Sequence, residues 1–272
     1  MEVPGSEDRA RRVARRTLEE CNISGLPVEP TRIAKSKSQL LVQTGVDLGK
    51  EAYGVFSYHR GHFIILISAH CHTRSHRRFS LAHELGHFCL PNHLEAIFST
   101  GPSHLTTNLS AADGDLEKEA NFFASELLMP KWGVERILNG CAKGLDSILR
   151  ISKTCESSLV SSAIRYANHV RRPTVILESD GSSISFATLS DKLWGASRFR
   201  GNRPRPGDAI PEGSPTALLG GQSGEVLARR TRAEVVSATK WFPDAPSDLL
   251  FNEEARGLGS YGKILTVLTA VD

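Results

Sequence analysis

Residues 79–87 read FSLAHELGH, and the rest of the chain is read outward from this stretch. H-E-x-x-H sets His83 and His87 four residues apart, on one face of a helix. Two imidazoles at that spacing can bind a single divalent metal ion. Glu84 is turned by about 100° from His83 around a helix axis, so it need not be a ligand. It can instead take a proton from a metal-bound water. A helix with two surface histidines could carry the same letters. Here, however, the motif lies inside the apolar run FSLAHELGHFCL, just after the apolar strand FIILIS. Polar side chains buried in such a place are costly unless they are paired or bound.

A zinc site of this type needs a third protein ligand and leaves one position for water. The extended form of the motif would require glycine at position 90 and histidine at 93. His93 is present, but Leu90 and Pro91 break the pattern. The other source is a later helix, LEKEANFFASELLMP, which offers Glu117, Glu119 and Glu126. Its apolar positions Leu116, Ala120, Phe123, Ala124, Leu127 and Leu128 recur with a helical period. Glu117 shares a face with Asn121. Glu119 is turned from Glu117 by about 200°, so at most one of the two can point at the metal. Pattern alone does not choose between them.

RRFSLAHELGHFCL, followed by E-x-E-A-N-x-F-A-x-x-L-L-M-P, resembles the ImmA/IrrE family of zinc metallopeptidases. The upstream PVEPTRIAKS and the YGVFSY…FIILIS hairpin fit as well, and the resemblance spans roughly residues 10–170. It implies a zincin-like peptidase domain. It also selects Glu117 as the third ligand beside His83 and His87, with Glu84 as the catalytic base. Glu119 then falls to an exposed or supporting position, and Asn121 to a supporting or packing one. Family members are intracellular and cut a helix-turn-helix transcriptional repressor, relieving repression in stress or mobile-element responses. Zn²⁺ is the implied metal, although two histidines and a carboxylate also accept Mn²⁺ or Fe²⁺.

The fold class expected is α+β, in three parts. Residues 1–130 are the peptidase domain, with a helix over 6–22 capped by Ser6, a strand over 40–47 and the hairpin over 52–68. The catalytic helix starts near Ser75 or His76 and stops at Pro91, and residues 92–114 read as loop. Residues 131–170 are helical, and ILRISKTCESSLVSSAIRYAN (148–168) has a helix-turn-helix look. Residues 171–272 are β-rich and separated by turn residues, as in an accessory or sensor-like domain.

Composition narrows the class. The chain has 272 residues, 40 % hydrophobic and 23 % charged, with net charge +3, as in ordinary folded proteins. Arginines 9, 11, 12, 15 and 16 crowd the first helix, and Arg198, Arg200, Arg203 and Arg205 form a second group. They read as a solvated helix face and a loop; the alternative is a surface for an acidic partner or DNA. Direct DNA binding is the lesser reading, held by a rival hypothesis of a non-cleaving transcriptional regulator. Cys21, Cys71, Cys89, Cys141 and Cys155 are scattered and odd in number, which suits free thiols in a cytoplasmic protein. Neither a membrane span nor a secretory signal is expected.

Several other polar residues carry weaker signals. His70, Cys71, His72 and His76 cluster before the catalytic helix, as a second metal site or a polar loop. His104 could polarise a substrate carbonyl. Arg78 reads as a local pairing residue, and Trp132, Trp194 and Trp241 as packing anchors.

Overall fold

The structure, a computed structural model, describes residues 5–99, 101–107, 114–140, 143–190, 193, 203–220, 227, 230–259 and 262–271. The readings at Cys141, Trp194, Arg198 and Arg200 lie outside the described residues. The chain is α+β and divides into two compact units. One comprises Met1–Gly133 with Lys153–Ser158, the other Val134–Ser152 with Leu159–Asp272.

The first unit opens with α1 (Ser6–Glu20) and the short α2 (Pro30–Lys35). Strands β1 (Leu40–Val46), β2 (Gly54–His59) and β3 (His62–Ser68) follow, then α3 (Arg74–Cys89). Next come α4 (His93–Phe98), β4 (Ser103–Thr106), α5 (Asp115–Leu128) and the start of α6 (Lys131–Leu138), which belongs to the second unit from Val134 onward. The sheet order is β1-β3-β2-β4, with β1 parallel to β3 and the other pairs antiparallel. Arg60 and Gly61, at φ 49° and 86°, form the two-residue turn between β2 and β3. Positive φ at both positions matches the twist of a tight hairpin.

Helix α3 lies on β3 and β2, and α5 lies on α3 and α1. The sheet meets α3 and α4 through Phe56, Tyr58, Phe63, Phe88 and Phe98, whose ring centroids lie 4.9–6.2 Å apart. Arg78, almost fully buried, holds α3 to its surroundings. Its guanidinium donates to Glu29 Oε1 at 2.6 Å, the Val28 carbonyl at 2.6 Å and the Cys155 carbonyl at 3.3 Å.

Local differences from the sequence reading have local causes. Ser6 is the first residue of α1 and Gly5 takes the cap, with no side-chain cap bond. The buried face of α1 is Ala10, Ala14, Thr17 and Leu18, and the helix packs against α5. Helix α3 begins at Arg74, because Thr73 Oγ1 accepts from the His76 N–H at 3.1 Å. Residues 92–114 are not all loop. Asn92 adopts φ 69°, turns the chain after Pro91 and starts α4, which buries His93 and Ile97. Residues 103–106 then pair with β2 as an edge strand.

The second unit contains α7 (Leu145–Cys155, whose last turn belongs to the first unit) and α8 (Leu159–Ala167). It continues with β5 (Thr174–Ser179), β6 (Ile184–Leu189), α9 (Pro215–Gly220), β7 (Thr231–Ser237), β8 (Leu250–Gly257) and β9 (Ile264–Ala270). Its antiparallel sheet runs β6-β5-β9-β8-β7. Every residue of α8 is buried or half-buried. Strand β8 escaped the sequence reading because a charged residue takes an inward position of its alternating pattern, Phe251, Glu253, Ala255, Gly257. Glu253 is accommodated by three donors: the Thr216 N–H at 2.9 Å, the Thr216 hydroxyl at 2.7 Å and the Trp241 indole N–H at 2.7 Å.

The crossing of α3 and α5 depends on one glycine. A Cβ on Gly86 would stand 3.2 Å from Ala120 Cα and 3.2 Å from Phe123 Cδ1. Gly86→Val is expected to lower stability by about 1–3 kcal/mol through overpacking. The urea unfolding midpoint measures this; an unchanged midpoint would show that the helices have slack here.

Candidate metal centre

Helix α3 turns His83, Glu84 and His87 into the unit, and all three are fully buried. Helix α5 brings Glu117 to them. His83 Nε2 lies 3.1 Å from Glu117 Oε2, His87 Nε2 3.2 Å from Glu117 Oε1, and the two Nε2 atoms 3.1 Å from each other. One ligand atom from each of His83, His87 and Glu117 falls within 4.8 Å of the others. A tetrahedral ion with bonds of about 2.0 Å sets its ligand atoms roughly 3.3 Å apart. The donor set therefore has the chemistry and spacing of a divalent-cation site, a second test of which is the state of Glu84.

Each histidine is fixed at its other nitrogen. His83 Nδ1 faces Asn121 Oδ1 at 2.9 Å. The amide oxygen can only accept, so Nδ1 carries the proton and Nε2 presents its lone pair to the pocket. Behind His87, at Nδ1, stands His93 Nδ1 at 3.0 Å. His93 is thus next to the centre but outside the ligand set.

The charges of the pocket follow from its burial. Burial pushes the His87 imidazole down to about 3, against the opposing pull of the Glu117 carboxylate. Burial pulls His83 down too, but Glu117 and Glu84 outweigh it and leave His83 above its ordinary value. Glu117 is pushed up by burial, yet the hydrogen bond from His104 and the closeness of the His83 and His87 imidazoles hold it well below the usual carboxylate range. His104, on β4, donates toward Glu117 Oε1 at 3.1 Å, and that bond raises its pKa. The side chains of His104 and Glu117 are 29 % and 14 % exposed, so solvent reaches the pocket on their side.

Glu84 is unlike the rest. Burial raises its pKa against the opposing pull of His83 and of the Thr106 hydroxyl beside it, and neither buried carboxylate oxygen makes a hydrogen bond of good geometry. Buried polar groups are nearly always satisfied, so an unpartnered carboxylate calls for a functional reason. The space it occupies is left by a glycine: a Cβ on Gly54 would sit 2.2 Å from Glu84 Oε1. No pattern in the sequence marked Gly54. The orphaned oxygens and the convergent nitrogens together fit a metal with an adjacent proton acceptor.

The structure thus brings His83, Glu84, His87 and Glu117 together, with His104 and Asn121 around them. Glu119 is buried behind the centre and ion-pairs with Arg9 of α1. The cluster at residues 70–76 is arranged differently. His70 approaches Asp47 at 3.5 Å, Cys71 is buried near the Ser80 hydroxyl, and His76 packs edge-on against Tyr53. Among the described residues, the set of His83, His87 and Glu117 is the one with metal-ligand spacing.

Residues 42–160 match the family model described as the IrrE N-terminal-like domain, a peptidase family. None of the curated proteins compared with the chain matches it. Among solved structures, one described as "Mycobacterium tuberculosis transcriptional regulator" aligns over 96 % of this chain and 87 % of that one, with TM-score 0.57 and 14 % identity. At that identity the likeness concerns the fold alone.

Replacing His83, His87 or Glu117 by alanine is expected to weaken Zn²⁺ binding at least about 100-fold. Competition against a chromophoric chelator measures it, and tight binding by all three variants would move the site elsewhere.

Proposed function

Residues 42–160 are an IrrE N-terminal-like domain of a peptidase family, and from this premise we propose that the protein is a zinc-dependent endopeptidase. The observation that carries the reading is Glu84, a fully buried carboxylate with two unpartnered oxygens beside three convergent ligand atoms. His83, His87 and Glu117 would hold the ion, for which Mn²⁺ or Fe²⁺ could substitute. Bound there, the metal would make water acidic near neutral pH and polarise the scissile carbonyl. Glu84 accepts the water's proton and passes it to the leaving amine. Its raised pKa suits both halves of that task. His104, its pKa raised by the bond to Glu117 and its side chain open to solvent, can stabilise negative charge on the carbonyl oxygen.

The substrate class comes from the family resemblance: a helix-turn-helix transcriptional repressor, cut in the cytoplasm to relieve repression under stress. Free Cys21, Cys71, Cys89 and Cys155 are compatible with a reducing compartment. Among the described residues no helix is long and apolar enough to cross a membrane.

The rival reading, a regulator that binds DNA without cutting protein, draws less support. Arg9, Arg11, Arg15 and Arg16 of the basic first helix are paired with Glu119, Glu7, Glu126 and Glu20. In helix α8, the second helix of the 148–168 segment, Ser162, Ala163, Arg165, Tyr166 and Ala167 are buried and the other residues half-buried, which leaves little surface to enter a groove.

Incubation with the helix-turn-helix repressor encoded beside the protein, with and without Zn²⁺, separates the readings. Wild type is expected to release defined fragments. Glu84→Gln should bind zinc normally and lose about 10²- to 10⁴-fold in cleavage rate. Gly54→Ala, which displaces the Glu84 carboxylate, should do the same by a smaller margin. Undiminished cleavage by Glu84→Gln would rule out its role as base. An intact repressor with zinc-loaded wild type would favour the non-cleaving regulator.

A further inference from the structure

Behind His87 runs a chain of polar contacts that leaves the pocket and ends on the first helix. His87 Nδ1 meets His93 Nδ1 at 3.0 Å, and His93 Nε2 meets Glu119 Oε2 at 3.3 Å. The second oxygen of Glu119 is ion-paired with Arg9 on α1. His93 is fully buried, the Glu119 side chain is 4 % exposed, and Arg9 is 41 % exposed. The chain therefore runs from the pocket to the surface.

The direction of each hydrogen bond follows from its end groups. An ionised carboxylate can only accept, and a guanidinium can only donate. His93 Nε2 therefore donates to Glu119, and Arg9 holds the Glu119 carboxylate in place. His93 Nδ1 is then the lone-pair nitrogen and accepts from His87 Nδ1–H. His87 is left with its lone pair on Nε2, which points at Glu117 and His83. Every polar atom in the row is satisfied in one tautomeric arrangement, and that arrangement makes His87 a ligand. Were the row broken at Glu119, His93 could turn its proton to Nδ1. His87 would then be pushed toward the opposite tautomer, with its proton facing the metal position.

We propose that His93, Glu119 and Arg9 form a positioning relay that fixes the orientation and tautomer of His87, so that the N-terminal helix helps to set the metal affinity of the centre. The inference rests on the metal-site reading above and adds to it residues that coordinate nothing. Arg9 lies outside the segment that matches the family model, residues 42–160. The relay thus makes α1 part of the working centre. A second ion pair, Arg15 Nε to Glu126 Oε1 at 3.1 Å, holds the same two helices together seven residues further along α5. Its carboxylate also accepts from the Lys131 N–H at the far end of α5, and the pair serves as an internal control.

The test uses the full chain, with Zn²⁺ affinity read by chelator competition and metal-free stability read by urea unfolding. Outer partners of metal-bound histidines typically contribute about 10- to 100-fold in affinity. His93→Leu and Glu119→Leu are expected to weaken Zn²⁺ binding within that range, and Arg9→Gln by roughly 3- to 10-fold, below it, because Arg9 acts only through Glu119. Arg15→Gln should leave affinity within about 2-fold, since its partner Glu126 lies seven residues along α5 from Glu119. In a Glu119→Leu background, Arg9→Gln should have almost no further effect, because its route to His87 is already cut. Glu119→Gln, which can still accept from His93, should recover part of the loss. A merely structural role would instead lower urea midpoints in step for Arg9→Gln and Arg15→Gln, with affinity unmoved. That outcome, or additive effects of Arg9→Gln and Glu119→Leu, would overturn the relay. If the buried-residue variants fail to fold, the surface-accessible Arg9→Gln and Arg15→Gln pair decides alone. Failure of wild type to bind zinc would remove the metal reading and the relay with it. Equal affinities across all variants, with wild type binding, would remove only the relay.

Discussion

The first unit depends on burying His83, Glu84 and His87 in one turn and a half of α3, between the sheet and α5. Three polar side chains without solvent are tolerable only if each has a partner of suitable chemistry. The neighbouring structure supplies most of them. Gly86 lets α5 come close enough for Glu117 and Asn121 to reach the histidines. Asn92 turns the chain so that His93 returns behind His87. Ion pairs from α1 hold α5 in register. Only Glu84 is left without a partner.

The two units offer a comparison between buried glutamates. Glu253 in the second unit and Glu84 in the first are both fully inaccessible. Glu253 receives three hydrogen bonds from Thr216 and Trp241 and acts as a polar clamp inside a β-sheet unit. Glu84 receives none at either oxygen, and Gly54 keeps its surroundings open. The same side chain is structural where its hydrogen-bonding capacity is filled and chemically poised where it is not. Burial alone does not separate these roles; the count of partners does.

Much of this was legible in the sequence, for identifiable reasons. The H-E-x-x-H spacing and the period of the LEKEANFFASELLMP helix specify faces, and faces are what bring His83, His87 and Glu117 together. The R-G turn and its flanking apolar strands gave the hairpin. Other features depend on neighbours distant in sequence. Helical geometry allowed only one of Glu117 and Glu119 to face the metal and the family resemblance selected Glu117, but the partner of Glu119, His93, comes from a helix that starts at a left-handed Asn92. The arginines of α1 suggested a solvated face, whereas Arg9 and Arg15 reach carboxylates more than a hundred residues away. Strand β8 was hidden because Glu253 breaks an apolar alternation that only Thr216 and Trp241 make tolerable.

The most direct measurement is an anomalous-scattering crystal structure of the protein loaded with Zn²⁺. The account predicts one strong peak shared by His83 Nε2, His87 Nε2 and the Glu117 carboxylate, with Glu84 facing it and not bonded to it. A peak at His70 and His72 instead, or no bound ion at saturating zinc, would contradict it.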